Sequence, residues 1–179
     1  MGAKIIKRYD LHDNDKDIFQ KTDWLFNDFV VHLWQIYNNM YKKHLNVVCA
    51  VISDAGKILC TQRLRKGPGY TAEHWEFPGG KTEPGESDHE ALLREIREEM
   101  DWDIFVGRKI ATIEHEYPDF SITLTAYDCM ARDCDFKLLS HIDAKWLTID
   151  ELPSLRWTEA DRKLLSLLPG TASEQSPAH

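Results

Sequence analysis

The chain lacks several features that would place it in other classes of protein. Its four cysteines (Cys49, Cys60, Cys129, Cys134) include no CxxC pair, so neither a zinc ribbon nor a disulfide framework is expected. Buried free thiols in a reducing compartment are the expectation instead. The eight histidines are scattered, with no HExxH and no pair four residues apart, which singles none out as a metal ligand. No apolar run approaches membrane-spanning length, and the opening MGAKIIKRYDLHDND has no signal-peptide core. A membrane is therefore not an expected partner, and the cytoplasm is the expected location. Basic residues are also in deficit, 22 against 30 acidic for a net charge of −8, a poor match for a nucleic acid polymer. A small anionic substrate stays open if metal ions carry the compensating charge. No internal repeat is present.

What is present is ordinary in bulk. The 179 residues, 42% hydrophobic and 29% charged, suit one soluble domain with a core large enough to fold without staples. Three stretches are expected: an N-terminal extension at 1–44, a catalytic domain at 45–168, and a disordered tail at 169–179 (PGTASEQSPAH). In the extension, Phe19, Phe26, Phe29, Leu33, Ile36 and Met40 recur at helical spacing, predicting an amphipathic helix from about residue 15 to 42. Such a stripe needs cover. Packing on its own domain is the first reading, and a homodimer through this helix the second. A membrane-surface helix fits least, since the polar face is not rich in Lys or Arg.

From Asn46 the pattern changes. Strands are expected at 47–53 and 57–63 around an Asp54-Ala55-Gly56 turn, then at 104–115, 122–131 and 144–147. A loop is expected at 65–72, a short extended piece at 75–78, and a turn at Pro78-Gly79-Gly80. Ser87-Asp88-His89-Glu90 reads as a capping box that opens a helix. Thr158 reads as the cap of a second helix, with Leu164, Leu165, Leu167 and Leu168 facing inward. Mixed strands flanked by two helices imply an α+β or α/β sandwich.

The chemistry concentrates in Gly80–Trp102, GKTEPGESDHEALLREIREEMDW. Glu95, Glu98 and Glu99 stand at i, i+3 and i+4, so three carboxylates share one helix face. Leu92, Leu93, Ile96 and Met100 fall on an adjacent arc that can be buried. Clustered carboxylates repel unless cations neutralise them, and an all-oxygen set suits Mg²⁺, with Mn²⁺ as the alternative. The bland reading is a solvated acidic face, but such a helix would not also place Gly80, Glu86 and Arg94 in register.

This stretch resembles the Nudix box, GX5EX7REUXEEXGU with U a bulky apolar residue. Gly80, Glu86, Arg94, Glu95, Ile96, Glu98, Glu99 and Trp102 match, while Asp101 replaces a glycine that ends the helix. Asp tolerates the left-handed conformation better than most residues. The resemblance is to the MutT-like branch, over about 46–168. It includes Trp75-Glu76-Phe77-Pro78-Gly79-Gly80-Lys81, the Tyr117-Pro118-Asp119 turn, Trp146, and Ala160-Asp161.

The resemblance implies the Nudix α/β/α sandwich with a mixed sheet. It also implies hydrolysis of a nucleoside triphosphate to the monophosphate and pyrophosphate. Glu95 and Glu99 are then metal ligands with the Gly79 carbonyl, and Glu98 is a ligand or the base. Arg94 orients carboxylates, Glu86 holds the loop on the helix, and Lys81 approaches a phosphate. Some relatives carry a glutamate ligand or base at the position of Ser140; its absence moves the base role to Glu95 or Glu98. Arg63 falls at a nucleotide contact, Phe77 at the base pocket, and Asp161 where a base edge is read, unless Asp161 serves only the helix cap. The substrates implied are 8-oxo-dGTP or CTP, including its deoxy and methylated forms. A nucleotide sugar or dinucleotide hydrolase and a non-catalytic nucleotide-sensing module are the rival readings. The second usually loses box glutamates, and all are present here.

Overall fold

A run that is apolar without interruption, Val47-Val48-Cys49-Ala50-Val51-Ile52, has no solvent face and must be covered on both sides. It forms the centre of β1 (Lys43–Asp54), longer at its start than the expected strand. Val48, Ala50 and Ile52 point into one core while Cys49 and Val51 point into another. The structure, a computed structural model, describes residues 29–33, 42–133 and 135–168. Two compact units are present, Met1–Lys42 and Lys43–His179. Of the first, residues 29–33 and Lys42 are described; 29–33 are helical and Lys42, where the expected helix was to end, is not. The remainder of the expected N-terminal helix, its role in a homodimer, Cys134 and the 169–179 tail lie outside the described residues.

After β1 come β2 (Lys57–Arg63), β3 (Trp75–Glu76), β4 (Gly79–Lys81), α1 (Asp88–Met100), β5 (Ile104–Glu116), β6 (Phe120–Ala131) and β7 (His141–Leu147). A short 3₁₀ turn at Leu152–Ser154 precedes α2 (Glu159–Leu165). The strands form a mixed sheet in the order β3-β2-β1-β6-β5, with β4 paired to β1 and β7 to β2. Only the β1–β6 pairing is parallel among these strands. β1 meets β2 only at Ser53–Asp54, next to their hairpin turn, so the two strands diverge and leave a cleft between them.

α1 covers one core with Ala91, Leu92, Ile96 and Met100, and the 3₁₀ turn with α2 covers the other through Leu152, Ala160, Leu164 and Leu165. The sandwich expected from the pattern holds. So does the capping box, with Ser87 accepting from the Glu90 N–H and Glu90 accepting from the Ser87 N–H. Asp101 is left-handed (φ 48°) and its N–H donates to the Arg97 carbonyl. Lys137 sits 2.5 Å from its carboxylate, so the residue that replaces glycine gains a partner there.

Two expectations fail locally. Pro78-Gly79-Gly80 does not merely turn the chain: Gly79–Lys81 is a strand, pairing Cys49 with Gly79 and Val47 with Lys81. The glycine serves close approach, since a Cβ at Gly79 (φ 149°) would lie 2.2 Å from the Val48 carbonyl oxygen. Leu167 is exposed rather than inward, because α2 ends at Leu165 and the helical period ends with it. Cys49, Cys60 and Cys129 are free and buried as expected. Burial pushes the Cys60 and Cys129 thiols up to about 12, which leaves them inert.

Candidate active site

The capping box sets where α1 begins and so fixes which residues reach the cleft. Arg94 is the hub of that face. Its Nε and one terminal nitrogen donate to the two oxygens of Glu86 at 3.1 and 2.7 Å. It also donates to Glu95 at 2.9 Å and to the Lys81 carbonyl at 2.9 Å. The fork thus ties the 82–87 loop and the end of β4 to the helix. Its hydrogen bonds hold the Glu86 carboxyl below the usual range. Glu98 lies 3.6 Å from the same guanidinium, with a side chain that is 62% exposed.

Gly80 explains itself by what a side chain there would hit. A Cβ would lie 2.2 Å from the carboxylate carbon of Glu95, so the carboxylate occupies the space the glycine leaves. Glu95 and Glu99 both face a cleft of about 650 Å³, together with Glu76, Gly79, Gly80, Lys81, Arg63, Phe77 and Asp161. All of the predicted site residues except Arg94 and Glu98 line it, and Arg94 holds Glu95 from behind. Lys81 is exposed at the edge. Phe77 is buried against Trp157, with ring centroids 4.8 Å apart.

Glu99 is the most perturbed carboxylate of the helix. Burial raises it to about 7; His141 and the Gly79 N–H pull it down, while Glu76 and Glu95 push it up. Its Oε2 is buried with no hydrogen-bond partner. Among the described residues no three His, Cys, Asp or Glu side chains are gathered tightly enough to hold a metal by themselves. The donor chemistry nevertheless fits a hard cation: oxygen atoms only, a carboxylate oxygen without a partner, and Glu95 lodged against Gly80.

At the other end, Asp161 is fully engaged. Its Oδ1 accepts the Phe77 N–H at 3.1 Å, and its Oδ2 lies 2.5 Å from the Thr158 hydroxyl. Thr158 caps α2, as expected. The segment before α2 is docked on β3, where the Trp75 N–H donates to the Arg156 carbonyl at 2.8 Å and the Thr158 N–H to the Trp75 carbonyl at 2.9 Å. Burial first, then the Glu76 charge, raises the Asp161 carboxyl to about 7 against the pull of Thr158, Phe77 and Arg63.

Two residues of this site carried no expectation. Glu76 pairs with Arg63 and lies 3.3 Å from His141 Nε2. His141, next to Ser140, is buried between Glu76 and Glu99. The signal for Glu76 was a charge between two buried aromatics, Trp75 and Phe77. For His141 there was none beyond its place beside Ser140. Tyr70, from the 64–74 loop, donates to Asp119 and stacks on Tyr117 at 5.4 Å, so it braces two residues that line the cleft.

A cleft with an acidic helix, a glycine strand and a half-buried Arg–Glu hub is the arrangement expected of a Nudix-type hydrolase, and comparison with known proteins agrees on the family. The family model for the NUDIX domain matches residues 47–167, and the chain belongs to that family as a Nudix hydrolase. It is 40% identical to the CTP pyrophosphohydrolase of Escherichia coli over 101 residues, covering 50% of this chain and 73% of that protein. It is 38% identical to the 8-oxo-dGTP diphosphatase of Proteus vulgaris over 89 residues, 49% of this chain and 78% of that one. The solution structure of the Nudix hydrolase MutT from methicillin-resistant Staphylococcus aureus 252 is similar at 44% identity and a TM-score of 0.56, covering 70% of this chain and 95% of that one. No helix among the described residues is long and apolar enough to cross a membrane.

Proposed function

We propose that this protein is a Mg²⁺-dependent nucleoside triphosphate pyrophosphohydrolase, releasing the monophosphate and pyrophosphate from 8-oxo-dGTP or CTP-type substrates. Mn²⁺ is the alternative metal. One observation carries the reading: a single cleft of nucleotide size holds Glu95, Glu99 and the Gly79-Gly80 strand together with Arg63, Phe77 and Asp161.

Glu95, Glu99 and the Gly79 carbonyl would hold the cation, with Glu98 of the same helix the further candidate ligand. When bound, it supplies charge neutralisation on the diphosphate and stabilises the leaving group. Arg94 keeps Glu95 in place through its bond at 2.9 Å. The base that takes the proton of the attacking water is Glu95 or Glu98; Glu95 lines the cleft, while Glu98 is 62% exposed outside its lining. Lys81 approaches a phosphate from the cleft edge, and Arg63 contacts the nucleotide. Asp161 holds both oxygens on Phe77 and Thr158, and burial raises its carboxyl, so it would meet a base with its remaining lone pairs or with an acid proton. As a carboxylate it accepts from a guanine-type edge, and as a carboxylic acid it pairs with an oxidised purine or cytosine edge. The names of the relatives, an 8-oxo-dGTP diphosphatase and a CTP pyrophosphohydrolase, support the same pair of substrates.

The test is a panel of canonical and oxidised nucleoside triphosphates with Mg²⁺, reading pyrophosphate. Glu99→Gln keeps the shape and removes a charge, and should cut turnover by about 10²-fold or more. Near-native turnover in that variant, or none by the native chain on any triphosphate, sinks the reading.

A further inference from the structure

The register of three strands assembles a charged relay that no helix pattern encodes. β3 pairs Glu76 with Thr61, and β7 pairs His141 with Arg63 on the other side of β2. Thr61 and Arg63 are two apart on β2 and so share a face, which puts Glu76, Arg63 and His141 side by side. Arg63 pairs with Glu76 through one guanidinium nitrogen. The second oxygen of Glu76 lies 3.3 Å from His141 Nε2, and the same nitrogen lies 3.9 Å from Glu99 Oε2. The His141 side chain is only 2% exposed.

A ring nitrogen set between two carboxylate oxygens contributes there as an N–H donor. The nearer contact is a long hydrogen bond and the farther one is beyond hydrogen-bond range. Glu99 Oε2 is meanwhile buried and unpartnered. One N–H thus faces two acceptors and fully satisfies neither. Glu99 is the residue placed on the cation and Arg63 the one placed on the nucleotide.

We infer that His141 is a positioning residue: its Nε2–H, hydrogen-bonded to the Glu76 of the Arg63–Glu76 pair at 3.3 Å, points its dipole at Glu99 Oε2 across 3.9 Å and so orients that carboxylate for the cation without bonding it. The nucleotide end and the cation end of the cleft then share one support. This inference rests on the assignment of Glu99 to the cation. Groups that orient metal-binding side chains without touching the metal typically affect affinity by about 10–100-fold.

The experiment uses the full chain without nucleotide, titrated with Mn²⁺ and read by electron paramagnetic resonance of the free ion. His141→Gln places an amide N–H near the position of Nε2. His141→Asn is polar but too short to reach either carboxylate. The first should bind Mn²⁺ close to native, and the second about tenfold or more weaker, with both melts recorded. Equal affinity in the native chain and the Asn variant overturns the inference, as does equal loss in both variants. Long-range ¹H–¹⁵N spectra of the native chain supply a check that needs no substitution. They should show His141 protonated at Nε2, and a proton on Nδ1 alone overturns the role however the variants fold. A native chain that binds no Mn²⁺ removes the cation assignment and this inference together. Native Mn²⁺ binding without hydrolysis of any triphosphate removes only the substrate reading.

Discussion

The carboxylate of Asp161 accepts the backbone N–H of Phe77 across 84 residues of sequence, at 3.1 Å. That contact ties the first turn of α2 to the short segment between β3 and β4, and so ties the Asp161 end of the cleft to the glycine strand. Burial raises Asp161 to about 7, with Glu76 adding to the rise. The folded state therefore binds this proton more tightly than the unfolded chain. The group's contribution to stability is greatest at low pH and falls as pH rises from about 4 to about 7. Asp161→Asn retains an acceptor for Phe77 and removes the titration. Thermal melts in chelator between pH 5 and 8 should show a smaller loss of Tm with rising pH than the native chain. An unchanged pH dependence would show that Asp161 is already ionised when buried. If Asp161 also reads the base, Asp161→Ala should narrow discrimination between bases by about 1–3 kcal/mol.

Gly80 offers a test of geometry alone. A methyl there meets the Glu95 carboxylate carbon at 2.2 Å, and no positive φ adds backbone strain. Gly80→Ala should leave the fold in place and displace the carboxylate. Displacement of about 1 Å lowers turnover by about 10²-fold. Gly79→Ala, by contrast, meets the Val48 carbonyl oxygen and should fail to fold. Turnover within a few-fold of native in Gly80→Ala would show that Glu95 has room to move without consequence.

Arg94→Lys keeps the charge and loses the fork. Lysine cannot satisfy Glu86, Glu95 and the Lys81 carbonyl together. Activity should fall by about 10–100-fold and the denaturation midpoint should drop, read by initial rates and denaturant melts. Full activity in this variant would mean that Glu95 needs no orienting partner.

Tyr70→Phe removes the hydroxyl that donates to Asp119 and keeps the ring on Tyr117. The 64–74 loop should then open more often. Limited trypsin digestion at Arg65 and Lys66 is the readout, with cleavage severalfold faster and Tm nearly unchanged. Equal cleavage rates would place the hold on the loop in the ring stack alone.

Much of the site was legible before any fold was known, because it is local. Within α1 a fixed 3.6-residue period converts spacing into direction, so Glu95 and Glu99 could be assigned to one face and Leu92, Ile96 and Met100 to the next. Caps are equally local: Ser87 with Glu90 and Thr158 with Asp161 each span three residues. The apolar stretch from Val47 likewise announced a strand.

What the tertiary structure decided is which distant pieces meet. His141 stands 65 residues from Glu76 and reaches it only because β7 and β3 flank β2 in a particular register. Pro78-Gly79-Gly80 carries the composition of a turn, yet Gly79–Lys81 became a strand because its glycine lets it lie against Val48. Leu167 fits the helical stripe and is exposed because the helix stops two residues earlier. Periodicity reports the face a residue occupies on its own element. It does not report which element lies across from that face, and packing among strands, helices and charges settles that part.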